Sequence, residues 1–330
     1  MSGRVSGLDH ETARWADRTV GAFIRDGSRW RGAVSGLRSA EIDGGEIATA
    51  GPTISANHRL NGLFRDWQRR RGTVSTRLEG KTALVTGSTS NIGRAIALAF
   101  AAEGAHVVVS GRNTERGAEV VDRIRAAGGR PDFVAADLDG SRKASRDLAA
   151  EATRVLGGHI DVLVNSAGIF PRTTTATTDE ATFDEVYGVN VKAPYFLTGA
   201  IAPVMAAAGS GVIINLGSWI ARLGIPSALY SSTKGAVETL TKAWAAEFGP
   251  AGVRVNAISP GVIRTPNADG SDSGRHPAEV MMRGTPAGRS GTPDAVAHAA
   301  VYLASDEAAF VHGSVIDVDG GRTGVAVVAS

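Results

Sequence analysis

Residues 81–93 read Lys81-Thr82-Ala83-Leu84-Val85-Thr86-Gly87-Ser88-Thr89-Ser90-Asn91-Ile92-Gly93. Thr82 to Thr86 is a short apolar run, which predicts a strand buried on both faces, as in a parallel sheet. From Ile92 to Ala102 the apolar residues recur at helical spacing. Thr86 to Gly93 therefore sits where a strand turns into a helix. Glycine in such a turn lets the backbone approach a pyrophosphate, which also gains from the helix N-terminal dipole. In isolation a plain strand-to-helix turn reads the same way. The order of elements downstream of Gly93 supplies the context.

The same rhythm continues along the chain. Strands are predicted at 106–110, 131–136, 160–165, 212–216, 253–258 and 314–318, and helices at 115–127, 141–156 and 179–208, with a further helix carrying Tyr230. Alternation of this kind predicts an α/β fold with a doubly wound parallel sheet of about seven strands. No internal repeat or linker appears after residue 79, so residues 79–330 are expected to form a single domain.

Residues 1–78 differ in character. They hold thirteen Arg, no Lys and eight acids, a balance of +5, which leaves the remainder near −3 of the chain's +2. Short helices are conceivable from Asp9 to Ile24 and from Leu60 to Arg71, broken by Gly44, Gly45, Gly51 and Pro52. This composition reads as an N-terminal extension, poorly packed or disordered. The basic character belongs to it, so nucleic acid is not an expected partner of the body.

Other classes are excluded more simply. There is no Cys, hence no disulfide, thiolate metal site or Cys nucleophile. The seven His show no His-x-x-x-His pair, so no metal is expected. No apolar run reaches membrane-span length, and the start lacks the apolar core of a signal peptide. A cytoplasmic protein with no membrane partner is the expectation.

The chemistry is suggested by Tyr230-Ser231-Ser232-Thr233-Lys234. Residues four apart on a helix share a face. An ammonium beside a phenol favours the phenolate and lowers a pKa that is normally near 10. A Tyr so placed can exchange a proton with an alcohol or carbonyl.

Taken together, Thr86-Gly87 with Gly93, Asn165-Ser166-Ala167-Gly168 after the fourth strand, Tyr230 with Lys234, and Pro260-Gly261 after the sixth resemble the short-chain dehydrogenase/reductase family. The resemblance runs from about residue 79 to about 323 and implies a Rossmann-type fold. It implies a proton relay of Asn190, Ser218, Tyr230 and Lys234. Asn190, in Gly188-Val189-Asn190-Val191-Lys192, would lie in a kinked helix. It implies a cofactor cradle of Gly87, Thr89, Ser90, Asn91, Ile92 and Gly93, with Asp137 and Leu138 at the adenine. Asn165, Ala167 and Gly168, then Tyr230 and Lys234, and finally Pro260, Gly261, Val262, Ile263 and Thr265 complete it towards the nicotinamide.

Two departures from the family pattern matter. Its middle glycine is Asn91 here, and Asn is the next most tolerant residue for a left-handed backbone. Ser218 and Tyr230 are twelve apart, where many relatives have thirteen, so the wall made by Trp219, Ile220 and Leu229 is expected to differ. At the end of the second strand Gly111 stands where NAD-preferring relatives carry an acid, and Arg112 follows. A guanidinium there could pair with a 2′-phosphate, which favours NADP(H), with NAD(H) possible.

The implied activity is hydride transfer between that cofactor and a ketone or secondary alcohol, with Tyr230 as general acid/base. The competing reading is a redox-inactive protein that senses or binds a dinucleotide on the same fold. Pocket candidates are Phe170, Arg172, Trp219, Leu229 and Val262, and residues 266–282 are expected to form a polar lid. The long apolar helices predict a homo-oligomer, dimer or tetramer.

Overall fold

The computed structural model describes residues 23–26, 29–32, 76–264 and 277–327. The chain divides into two compact units, Met1–Val74 and Ser75–Ser330. In the first, strands β1 (Phe23–Asp26) and β2 (Arg29–Gly32) pair antiparallel. Residues 23 and 24 are thus strand, where the sequence reading carried a helix to Ile24. The remainder of that helix, and the one at 60–71, lie outside the described residues.

The second unit is built on seven parallel strands: β3 (Thr82–Thr86), β4 (His106–Gly111), β5 (Arg130–Ala135), β6 (Val162–Asn165), β7 (Gly211–Leu216), β8 (Val253–Pro260) and β9 (Val315–Val318). Their order across the sheet is β5-β4-β3-β6-β7-β8-β9. The order reverses between β3 and β6, and at such a switch point the carboxyl ends of the strands open a crevice.

Between the strands run α1 (Asn91–Ala102), α2 (Thr114–Ala126), α3 (Arg142–Val155), α4 (Glu180–Tyr187), α5 (Ala193–Ala207), α6 (Ala228–Phe248) and α7 (Pro293–Ala304). The predicted helix at 179–208 is one path interrupted by a π-helical segment, Gly188–Lys192. That segment is the expected kink, and Asn190 lies at its centre.

Strand parity sorts the core into two layers, because successive side chains of a strand face opposite sides. Ala83, Val85, Val107, Val109, Val162 and Val164 pack with α1, α2 and α7. Leu84, Val108, Leu163, Ile213, Val253 and Val255 pack with α3, α5 and α6. Burial on both faces explains why these strands are continuous apolar runs. Leu78, which the sequence reading left in the extension, is fully buried in the first layer. Its amide donates to the Glu103 carbonyl at 2.9 Å, so the body begins a few residues earlier than expected.

Candidate active site

The turn after β3 needs its glycines. Gly87 has φ +63°, and a side chain on it would begin 2.7 Å from the Ala167 Cα. A side chain on Gly93 would begin 2.4 Å from the Gly87 carbonyl oxygen. Asn91 has φ +45° and is the sole non-glycine residue with positive φ among the described residues. It holds the left-handed conformation that glycine adopts most readily. The turn is also laced to its neighbours by residues the sequence reading overlooked. The Thr86 hydroxyl oxygen accepts from the Ser166 and Ala167 amides at 3.0 and 3.1 Å, joining the ends of β3 and β6. The Ser88 hydroxyl donates to the Val85 carbonyl at 2.6 Å and accepts from the Ser110 amide at 2.9 Å, joining the turn to β4. A polar residue closing a buried apolar strand was the available signal.

Along this edge of the sheet lies a cleft of about 1080 Å³. It is lined by Gly87, Thr89, Ser90, Asn91, Ile92 and Gly93 from the turn, by Arg112 after β4, and by Asp137 and Leu138 after β5. Ala167 and Gly168 follow β6, Ser218 follows β7, and Pro260, Gly261, Val262 and Ile263 end and follow β8. Tyr230 and Lys234 enter from α6. Thr265 and most of the expected lid lie outside the described residues. Residues 277–282, at the lid's end, form a short 3-10 helix that brings Val280 and Met281 to the cleft.

Three expected residues do not line it. Asn165 shares the parity of Leu163, so its amide turns beneath the sheet and donates to Asn215 at 2.9 Å and Thr198 at 3.3 Å. Leu229 is half-buried and does not line the cleft, and Ile225, Pro226 and Ser227 form the wall there. Asn190 is buried behind the wall. Its side-chain oxygen accepts from the Ile169 amide at 2.8 Å, and its nitrogen donates to the Ile169 carbonyl at 3.0 Å and to Thr233 at 3.2 Å. Asn190 thereby ties the π segment to the loop after β6 and to α6.

At the chemical end, Tyr230 and Lys234 lie one turn apart on α6. The Lys234 ammonium donates to the Leu216 carbonyl at 2.8 Å and lies 5.6 Å from the centre of the Tyr230 ring. The phenol lies close enough to Ser218 for that hydroxyl to act on its titration, and Ser218 opens the 3-10 turn Trp219–Ala221. Phe170 packs on the Tyr230 ring with centroids 4.5 Å apart. Burial pushes the phenol up to about 12, with Ser218 opposing it. Burial pushes Lys234 down to about 8. The expectation that the phenol is lowered is therefore reversed, because desolvation by burial outweighs the opposing effect of Ser218. One turn on, Glu238 approaches Arg222 at 3.6 Å, and Arg222 also pairs with Asp317 of β9. This pairing ties α6 to the shortened loop after Ser218.

The donor set fits a dinucleotide: a side-chain-free turn at a helix N-terminus, an arginine at one end, and a proton-exchanging pair at the other. Among the described residues no group of acids and histidines could hold a metal ion. No helix among them is long and apolar enough to cross a membrane.

Comparison with known proteins agrees. Residues 87–323 match a family profile described as enoyl-(acyl carrier protein) reductase. A cyclopentanol dehydrogenase of Comamonas is 36% identical over 251 residues, covering 75% of this chain and 98% of that protein. A solved short chain dehydrogenase/reductase family protein is 43% identical, with a TM-score of 0.67, and covers 76% of this chain and 100% of that one. The gluconate 5-dehydrogenase of Burkholderia cenocepacia, solved in complex with NADP and tartrate, is 33% identical. Its TM-score is 0.68, with 76% of this chain and 98% of that chain covered.

Proposed function

The chain belongs to the short-chain dehydrogenase/reductase family, and from that premise we propose that it passes a hydride between NADP(H) and a ketone or secondary alcohol, with Tyr230 as general acid/base. The coarser activity, NAD(P)-dependent oxidoreduction of CH–OH and C=O groups, is that of the family. The observation that carries the finer reading is one cleft lined both by the Gly87–Gly93 turn and by Ser218, Tyr230 and Lys234.

The substrate oxygen would rest between the Ser218 hydroxyl and the Tyr230 phenol. When bound, the nicotinamide supplies or accepts the hydride. In reduction Tyr230 gives its proton to the developing alkoxide, and in oxidation it takes the proton from the alcohol. A phenol held near 12 is protonated at neutral pH, the form reduction requires. Lys234, with its pKa near 8, exchanges protons close to neutrality and can return one to the phenol. Asn190 holds the π segment and the Ile169 loop in place around this pair.

Arg112 at the end of β4 supports NADP(H). So does Gly111, since a side chain there would begin 2.8 Å from Thr89, which disfavours the acid that NAD-preferring relatives use. The exposed Phe183, Tyr195 and Val204 on α4 and α5 support self-association. The test is to follow NADPH consumption by the purified protein across a panel of ketones. Turnover that depends on Tyr230 supports the reading, and tight cofactor binding with no hydride exchange favours a dinucleotide sensor instead.

A further inference from the structure

The charges lining the cleft are unevenly placed. Arg112, Arg116 and Asp137 lie beyond the strand ends of β4 and β5, with the Arg112 Nε 3.8 Å from the Asp137 carboxylate. The opposite end is walled mainly by Phe170, Trp219, Ile220, Ile225 and Met281. Two cations reach that end. Lys234 is buried and donates to the Leu216 carbonyl. Arg172 lines the cleft and makes no ion pair or hydrogen bond with any of the described residues. No carboxylate among the described residues lines this end.

We propose that Arg172 is the anion subsite for the substrate, so that the preferred ketone or alcohol carries a carboxylate or phosphate a few bonds from the reacting carbon. This rests on the oxidoreductase reading above and adds the substrate class. Arg172 follows Phe170 by two residues, and the Phe170 ring lies 4.5 Å from that of Tyr230. Residues 168–174 all line the cleft, so Arg172 and the ring packed on the proton donor share one wall. A guanidinium on that wall holds one end of a small molecule while its carbonyl lies over Tyr230. The planar fork of an arginine takes both carboxylate and phosphate oxygens in pairs. The cofactor's own phosphates would have separate partners in this cleft, the Gly87–Gly93 turn and Arg112. An acid therefore gains a partner that a neutral ketone of the same shape does not. Charge-assisted hydrogen bonds of this kind correspond to about a tenfold to hundredfold preference.

The experiment compares kcat/KM of the full-length enzyme for a series of keto acids, their methyl esters and a phosphorylated ketone, with saturating NADPH. The expected result is preference for the charged member of each pair. In Arg172→Gln the acid-to-ester ratio falls tenfold or more through KM, and Arg172→Lys recovers part of it. Preference for the carboxylate alone or the phosphate alone identifies the anion and supports the subsite. Equal use of acid and ester by the wild type overturns the assignment while leaving the oxidoreductase reading intact. A rise in the KM for NADPH as large as that for the keto acid in Arg172→Gln also overturns it, by moving the guanidinium to the cofactor. Absence of NADPH-linked turnover with every compound overturns the oxidoreductase reading, and this inference with it.

Discussion

Lys234 lies 5.6 Å from the centre of the Tyr230 ring, yet its hydrogen bond goes to the Leu216 carbonyl at the end of β7. The helix that carries both residues is thereby fastened to the strand that leads into Ser218. The same burial that fastens them separates their pKa values, Lys234 down to about 8 and Tyr230 up to about 12.

That separation makes stability depend on pH in two windows. Between about 8 and 10.5 the unfolded chain keeps the Lys234 proton that the folded one has released, so stability rises with pH. Between 10 and about 12 the folded chain keeps the Tyr230 proton that the unfolded one has lost, so stability falls. Lys234→Met should remove the first rise, a difference on the order of 2–3 kcal/mol between pH 8 and pH 10. Urea unfolding of the cofactor-free wild type and variant at both pH values measures it.

Asn91 should respond to backbone conformation. At φ +45°, glycine is accepted readily and a β-branched residue is not. Asn91→Gly should keep NADPH affinity within a few-fold, whereas Asn91→Val should lose about 1–2 kcal/mol of stability and weaken NADPH binding. Thermal unfolding and fluorescence titration with NADPH separate the two effects.

Arg112 should set cofactor choice. Its pairing with Asp137 is long, at 3.8 Å, and both side chains are mostly exposed, so little stability depends on it. Arg112→Ala should raise the KM for NADPH roughly tenfold or more and leave that for NADH within about twofold. Steady-state kinetics with both cofactors tests this.

Asn190 should matter for positioning. Asn190→Ala leaves the Ile169 amide and carbonyl without their partner, at a cost of about 1–3 kcal/mol. Asn190→Asp restores the acceptor for the amide but not the donor for the carbonyl, and should recover stability only in part. Denaturant unfolding of the two variants checks the order.

Much of this was legible in the chain. Val107, Val108 and Val109 announce a strand buried on both faces, and Thr86-Gly87 marks the turn from the first strand of the sheet into its helix. The site residues Ser218, Tyr230 and Lys234 stand in one cleft because their strands and helix end at the same edge. What the sequence reading missed was side-chain direction and solvation. Asn165 looked like a cleft residue from its place in the motif, although its parity with Leu163 turns it beneath the sheet. The Tyr230 phenol was expected to be acidified by Lys234, but spacing says nothing about burial, and burial decides the sign. Leu229 was assigned to the wall by adjacency to Tyr230, while the shortened loop delivers Ile225 and Pro226 there instead.

The most direct test of the central claim is kcat/KM for NADPH-dependent ketone reduction by Tyr230→Phe. The phenol oxygen is the group assigned to move the proton, and the variant keeps the ring that packs on Phe170. A fall of roughly a hundredfold to ten-thousandfold with NADPH affinity kept is the expected result. Turnover within a few-fold of the wild type would contradict the account.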